Sequence, residues 1–167
     1  RQYSTSELLA DKASEELENG SFATIYLSPK DYHRIHMPCD GVLISMKYIP
    51  GNLFSVNQKT VNQVKKIFAR NERLICLFDT DFGVMAFVLV GAIFVGSMQT
   101  EWQGQITPPY SKTVINYDYK GREIRLAKGD ELGRFNMGST VIMLLPEDFP
   151  EMNLHGGEEL KMGQALI

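Results

Sequence analysis

The stretch Arg73–Val90, "RLICLFDTDFGVMAFVLV", decides the fold class. Two apolar runs flank a polar Asp79–Gly83, and the pattern reads as a β-hairpin that turns there. Asp81-Phe82-Gly83 also spells a kinase magnesium motif. No HRD loop or glycine-rich loop accompanies it, so it is read as the hairpin turn. The apolar run extends through "VMAFVLVGAIFV", Val84–Val95, which falls short of the roughly 18 residues that span a bilayer. It is read as buried strand, and the chain as soluble or at most peripheral.

The rest of the chain agrees with a β-rich reading. Upstream, "GVLISMKYIPGNLFSV" alternates Val42, Ile44, Met46 and Tyr48 on one face before Pro50-Gly51-Asn52 turns it. Downstream, "GQITPPYSK", "VINYDYKGREIRLAKGDELGRFN" and "STVIMLL" give short strands between Gly and Pro turns. Helices are fewer. Ser4–Asn19 reads as one, with Gly20 as its C-cap, and "NQKTVNQVKKIFARN" places Val61, Val64, Ile67 and Phe68 on one stripe. Ser28-Pro29 followed by Asp31 predicts a short helical turn carrying His33 and His36 on one side. The expectation is an α+β fold, mostly β: a folded-over antiparallel β-sandwich or barrel, of the lipoyl-carrier hybrid kind, with short flanking helices.

Bulk properties narrow the function. At 167 residues the chain suits a single domain, residues 1–167. A net charge of −3 and the lack of a basic run argue against nucleic acid. The chain opens too polar for a signal peptide. Cys39 and Cys76 form no CxxC, and with three histidines no metal site is written; both cysteines read as buried free thiols, which fits a reducing compartment.

Two features hold candidate chemistry. His33 and His36 are either a pair serving one site near neutral pH or two surface histidines beside a turn. His155 sits in a polar loop and reads as solvated. The second feature is Met137-Gly138-Ser139-Thr140, wedged between apolar segments in "GRFNMGSTVIML". Gly-Ser occurs three times in the chain, so the pair alone signals nothing; here a strand starts directly after it and Thr140 adds a second hydroxyl. It is not a G-x-S-x-G elbow. A glycine leaves its carbonyl open and tolerates unusual backbone angles, and the next serine's hydroxyl can attack that carbonyl if a base takes its proton. β-Elimination at the resulting ester would cut the chain and leave a pyruvoyl terminus, a ketone able to condense with an amine and accept electrons.

Several long segments, in order along the chain, resemble the bacterial phosphatidylserine decarboxylases. They are "YLSPKDYHRIHMPCDG", "PGNLFSVN", "IFARNERLICLFDTDFG", "VGAIFVGSMQTEWQGQITPP" and "KGDELGRFNMGSTVIML", with "STSELLA" before them. The resemblance implies a proenzyme that cuts itself between Gly138 and Ser139, giving a β chain 1–138 and an α chain 139–167. Ser139 would become the pyruvoyl group, a covalent pyruvate. His36 would serve cleavage and His33 the substrate step. The reaction implied is decarboxylation of phosphatidylserine to phosphatidylethanolamine, a carbon–carbon lyase activity. Also implied are a homodimer and a peripheral place on the cytoplasmic face of the bacterial inner membrane. Met137 stands where the family motif has Leu, a volume-conserving swap expected to be neutral. The family's cleavage aspartate and membrane-docking helices lie upstream of the present stretch, so the chain is expected to be part of a longer one. Two other readings stay open: a non-catalytic β-rich binding module, suggested by the Gly-turn pattern in "KGDELGRF" and "KMGQALI", and an uncleaved inactive paralogue.

Overall fold

The computed structural model describes residues 4–10, 13, 15–93, 95–119 and 121–167. In chain order the strands are β1 (Ser21–Leu27), β2 (Arg34–His36), β3 (Gly41–Ile49), β4 (Arg73–Thr80), β5 (Gly83–Val90) and β6 (Met98–Thr100). They continue as β7 (Gly104–Thr107), β8 (Ile115–Asp118), β9 (Arg125–Leu126), β10 (Glu131–Phe135) and β11 (Ser139–Leu145). Three short helices accompany them among the described residues: α1 (Thr5–Leu9), α2 (Gln58–Gln63) and α3 (Ile67–Arg70).

The predicted hairpin is β4–β5, in register from Arg73↔Val90 to Thr80↔Gly83. Gly83 sits at φ +112°, a backbone angle that a side chain would resist. Thr80 closes the turn: its Oγ1 donates to the Gly83 carbonyl at 2.7 Å and accepts from the Phe82 N–H at 3.2 Å. Because β4 and β5 are covered on both faces, their sequences read as continuous apolar runs rather than alternations.

Among the described residues all the strand pairings are antiparallel and form two sheets; a lone parallel bridge joins Asn52 to Asn71 outside them. The larger runs β1-β11-β5-β4-β3-β8, with β9 also on β3; the smaller runs β2-β10-β6-β7. They share one core, in which Met98, Leu132 and Phe135 of the smaller sheet join Phe78 and Phe87 of the larger. Phe78 stacks edge-on with Phe87 and with Trp102, which follows β6. The β-rich α+β expectation holds, but the barrel option does not. β1 and β8 end the larger sheet without meeting, and the short β8 and β9 share the β3 edge, leaving no long free strand to close the ring. Among the described residues no helix is long and apolar enough to cross a membrane.

Three local expectations are corrected. The helix expected over Ser4–Asn19 stops at Leu9, with Ala10 in the left-handed region; part of the expected span, residues 11, 12 and 14, lies outside the described residues. Arg73 donates to the carbonyls of Leu8 (Nε, 2.8 Å) and Glu7 (Nη2, 3.2 Å), and the Lys47 ammonium donates to that of Ala10 (2.9 Å). Those acceptors are the ones that further helical turns would use. The stripe over 57–71 is broken into α2 and α3 at Lys66, which takes φ +55°. In β3 a bulge between Leu43 and Ser45 shifts the alternation, so Leu43 is buried and Ile44 exposed, while Met46 and Tyr48 point inward as expected.

Candidate active site at the Gly138–Ser139 junction

The chain leaves the smaller sheet at Phe135 and enters the larger at Ser139, so Asn136–Gly138 is the crossing between them. The way into the crossing is held by the main chain. The Phe135 N–H donates to the His33 carbonyl (3.0 Å), that of Asn136 to Ser97 (3.2 Å), and that of Met137 to Val95 (3.0 Å). Ser139 then pairs with Leu27, and Thr140 lies between Tyr26 and Val90.

Gly138 is buried against the turn that follows β1. A Cβ there would stand 3.1 Å from the Pro29 nitrogen and 3.2 Å from both the Leu27 carbonyl oxygen and Pro29 Cδ. Its φ is not in the left-handed region, so what a side chain would meet here is tight packing rather than an unusual backbone angle. Gly138 also lines an open cleft of about 250 Å³, counted with its mouth, together with Tyr26, Pro29, Ser55, Val56, Asn57 and Ala92. Met137 stands beside it, 46% exposed.

Ser139 is 0% exposed, and its Oγ has no hydrogen-bond partner. The same holds for the buried Thr140 Oγ1, Ser28 Oγ and His33 Nδ1. Buried polar atoms are normally paired, and each orphan costs about 1–3 kcal/mol. Four of the seven such side-chain atoms among the described residues fall on this junction and the turn beside it. A folded chain that leaves hydroxyls and an imidazole nitrogen unpaired at one place holds groups ready to take partners there.

His33 stands beside this junction through Pro29, whereas His36 lies on β2 of the smaller sheet, and the two differ. The expected helical turn is instead one tight turn: Asp31 Oδ2 accepts from the Ser28 N–H at 2.7 Å and the Asp31 N–H returns to the Ser28 carbonyl at 2.9 Å. Beyond it the backbone is extended, because β10 claims it: Arg34 pairs with Arg134 and His36 with Glu131. In extended chain, residues i and i+3 face opposite ways, so His33 and His36 do not share a side. His33 Nε2 donates to the Pro29 carbonyl (3.2 Å), which leaves Nδ1 as the bare basic nitrogen. Pro29 thus touches both Gly138 and His33. His36 Nδ1 donates to the Gly129 carbonyl (2.7 Å), so its Nε2 accepts from the Tyr32 hydroxyl (2.8 Å), and the rings of Tyr32 and His36 stack.

The other predicted features lie elsewhere. His155 is exposed beside Glu158, and Cys76 is fully buried while Cys39 is half-buried, both free. Ser28 and the cleft segment Ser55–Asn57 were not foreseen beside the junction, nor Tyr32 and Gly129 as partners of His36. Only Tyr32, four residues before His36, left a local trace in the sequence.

The chain matches the family model described as phosphatidylserine decarboxylase over residues 1–167. It is 53% identical over 168 residues to the phosphatidylserine decarboxylase proenzyme of Vibrio parahaemolyticus, covering 96% of this chain and 59% of that protein. The proenzymes of Methylococcus capsulatus and Acidovorax ebreus are 52% and 57% identical, over 99% and 98% of this chain and 59% of each relative. The chain therefore spans about three fifths of the length of the curated relatives it matches.

Proposed function

The chain belongs to the phosphatidylserine decarboxylase family, and from that premise we propose that the protein it spans cuts itself between Gly138 and Ser139 and then decarboxylates phosphatidylserine to phosphatidylethanolamine. The observation that carries this reading is the buried, unpartnered Ser139 hydroxyl, in the residue that follows a closely packed Gly138.

In the cutting step the Ser139 Oγ adds to the Gly138 carbonyl carbon, its proton passes to a base, and the amide nitrogen leaves as the new amine. The resulting ester is opened by loss of the Ser139 α-proton. Gly138 departs as a carboxylate, and residue 139, left as dehydroalanine, takes up water and releases ammonia to become a pyruvoyl terminus. We assign the base to His36, whose Nδ1–H the Gly129 carbonyl holds and whose Nε2 would take the proton once the Tyr32 hydroxyl gives way. The unpaired Ser28 hydroxyl and His33 Nδ1, in the turn beside Gly138, are the groups that would hold a pyruvoyl group at position 139. That group supplies a ketone which condenses with the substrate amine and withdraws electrons as carbon dioxide leaves. His33, bare at Nδ1 and held through Pro29, delivers the proton to the carbon that lost the carboxylate. Pro29, Val56 and Ala92 would give the cleft an apolar lining beside that carboxylate.

We also propose a homodimer acting peripherally at the cytoplasmic face of a bacterial inner membrane. The lipid nature of the substrate supports the membrane contact, as do Tyr26, Leu53, Ile93 and Met137, which expose apolar surface in or directly beside the cleft-lining segments.

Intact mass of the full-length protein under denaturing conditions tests the reading. The expected result is two pieces, the smaller starting at residue 139 with a blocked terminus that reacts with carbonyl reagents. Ser139→Ala should give one uncut species that releases no carbon dioxide. A single full-mass species from the unaltered protein would overturn the proposal in favour of an inactive or binding module.

A further inference from the structure

We propose that Asn71 is a positioning residue that sets the separation of the two walls of the cleft over Gly138, a role that rests on the decarboxylase reading of that cleft. Asn71 caps the end of α3 and is 0% exposed. Its side chain uses both amide hydrogens and its oxygen. Nδ2 donates to the Phe54 carbonyl at 2.8 Å and to the Gly91 carbonyl at 2.9 Å, and Oδ1 accepts from the Phe54 N–H at 3.1 Å. Phe54 leads directly into Ser55–Asn57, one wall of the cleft; Gly91 leads directly into Ala92, part of the other. A single amide therefore spans the two segments that face Gly138, and it holds both of Phe54's backbone groups as a neighbouring strand would.

The next residue secures the same two segments through its main chain. The Glu72 N–H donates to the Asn52 carbonyl and the Glu72 carbonyl accepts from the Gly91 N–H, both at 2.9 Å. The side chain of Glu72 presses on Gly91 so closely that a Cβ at position 91 would lie 2.5 Å from Glu72 Cγ. The main-chain bonds fix where each wall attaches. The Asn71 side chain fixes how the backbone of each wall is turned toward the other. Asn71 does not line the cleft, so it acts through Phe54 and Gly91.

The experiment uses the full-length protein and compares Asn71→Ala and Asn71→Asp with Ile75→Ala, a core truncation on β4 remote from both walls in register. Asp keeps the size but turns a carboxylate oxygen on two carbonyls in place of the Nδ2 donors. Activity is read on mixed micelles of phosphatidylserine and detergent and normalised to the titre of carbonyl reagent bound. Both Asn71 variants should raise KM by about tenfold while kcat per carbonyl changes by less than about threefold. Ile75→Ala, with a comparable fall in Tm, should leave KM within about twofold. Equal KM changes in all three would overturn the proposal, since a merely structural residue predicts that.

A second measurement serves if the Asn71 variants fail to cut. In a Ser139→Ala background, Asn71→Ala should speed amide hydrogen exchange at residues 53–57 and 91–92 together and leave the β4–β5 hairpin protected. Faster exchange in only one segment, in neither, or throughout the molecule would overturn it. Absence of cutting and carbon dioxide release in the unaltered protein would instead defeat the enzyme reading, and the exchange result would still report on the two walls.

Discussion

Ser139 and Thr140 are buried neighbours on β11, and neither hydroxyl has a hydrogen-bond partner. The two histidines have different work because their ring nitrogens have different partners. His33 keeps a bare Nδ1, whereas both His36 nitrogens are engaged, one of them by Tyr32. His33→Ala should therefore give protein that still cuts and still binds carbonyl reagent, with turnover per carbonyl down by about 10²–10⁴-fold, the usual worth of a general acid. His36→Ala should instead slow cutting, seen as persistent full-length mass over a time course; normal cutting would remove that assignment. Glu72 gives a prediction about pH. Burial holds its carboxyl above the ordinary glutamate range, opposed by the hydrogen bond from Tyr48. The folded chain thus keeps this proton more tightly than the unfolded one. That contribution to stability is complete below the unfolded pKa and is lost as pH rises through the folded one. Glu72→Gln can still accept from Tyr48 and has no charge to bury. In a Ser139→Ala background, urea denaturation should show the variant gaining on its parent as pH rises from about 4 to 7. A difference that stays flat across that window would sink the idea. At this scale the Gly138–Ser139 pair drew attention through the strand that starts after it and the resemblance around it, since Gly-Ser by itself occurs three times. Asn71 drew none, because the partners that give it meaning stand 17 and 20 residues away and nothing in a lone Asn announces them.

Strands marked by their own apolar pattern were legible, β11 among them, whereas strands imposed by a distant partner were not. The β4–β5 hairpin needs only its own eighteen residues and its turn chemistry. The fate of "HRIH" depends on β10, whose Arg134 pairs with Arg34 far along the chain, and that partner overrules the helical turn which Ser28-Pro29 would favour alone. The alternation of β3 misled for a related reason: a bulge is a property of the pair, since it appears only when β4 is laid alongside. β10 itself has a sharp requirement. A Cβ on Gly133 would lie 2.4 Å from the Gln99 carbonyl oxygen of β6. Gly133→Ala should pry β10 from β6 and lower stability by about 1–3 kcal/mol, the usual range for overpacking. Gly156→Ala, where a Cβ meets nothing within 4 Å, should leave the thermal midpoint unchanged. Equal midpoints for the two variants would show that β10 can give way.

For the molecule as a whole, the position of β11 matters most. It is an interior strand, paired along seven residues with β1 on one side and along five with β5 on the other. Every residue of β11 is buried. The proposed cut falls at its first residue, so the strand belongs to one product while both its neighbours belong to the other. Native size-exclusion chromatography should accordingly show the two pieces migrating as one particle, and only denaturant should part them. A further consequence concerns reaction order. Before the cut, losing and regaining this fold is an affair of one chain, and its midpoint is indifferent to dilution. Afterwards, the smaller piece once shed must find its slot by diffusion, so the melting temperature should climb with protein concentration, and heating a dilute sample should be hard to reverse. Self-cutting would thus convert an intramolecular equilibrium into an encounter between two molecules, with the sheet unchanged on either side of the event.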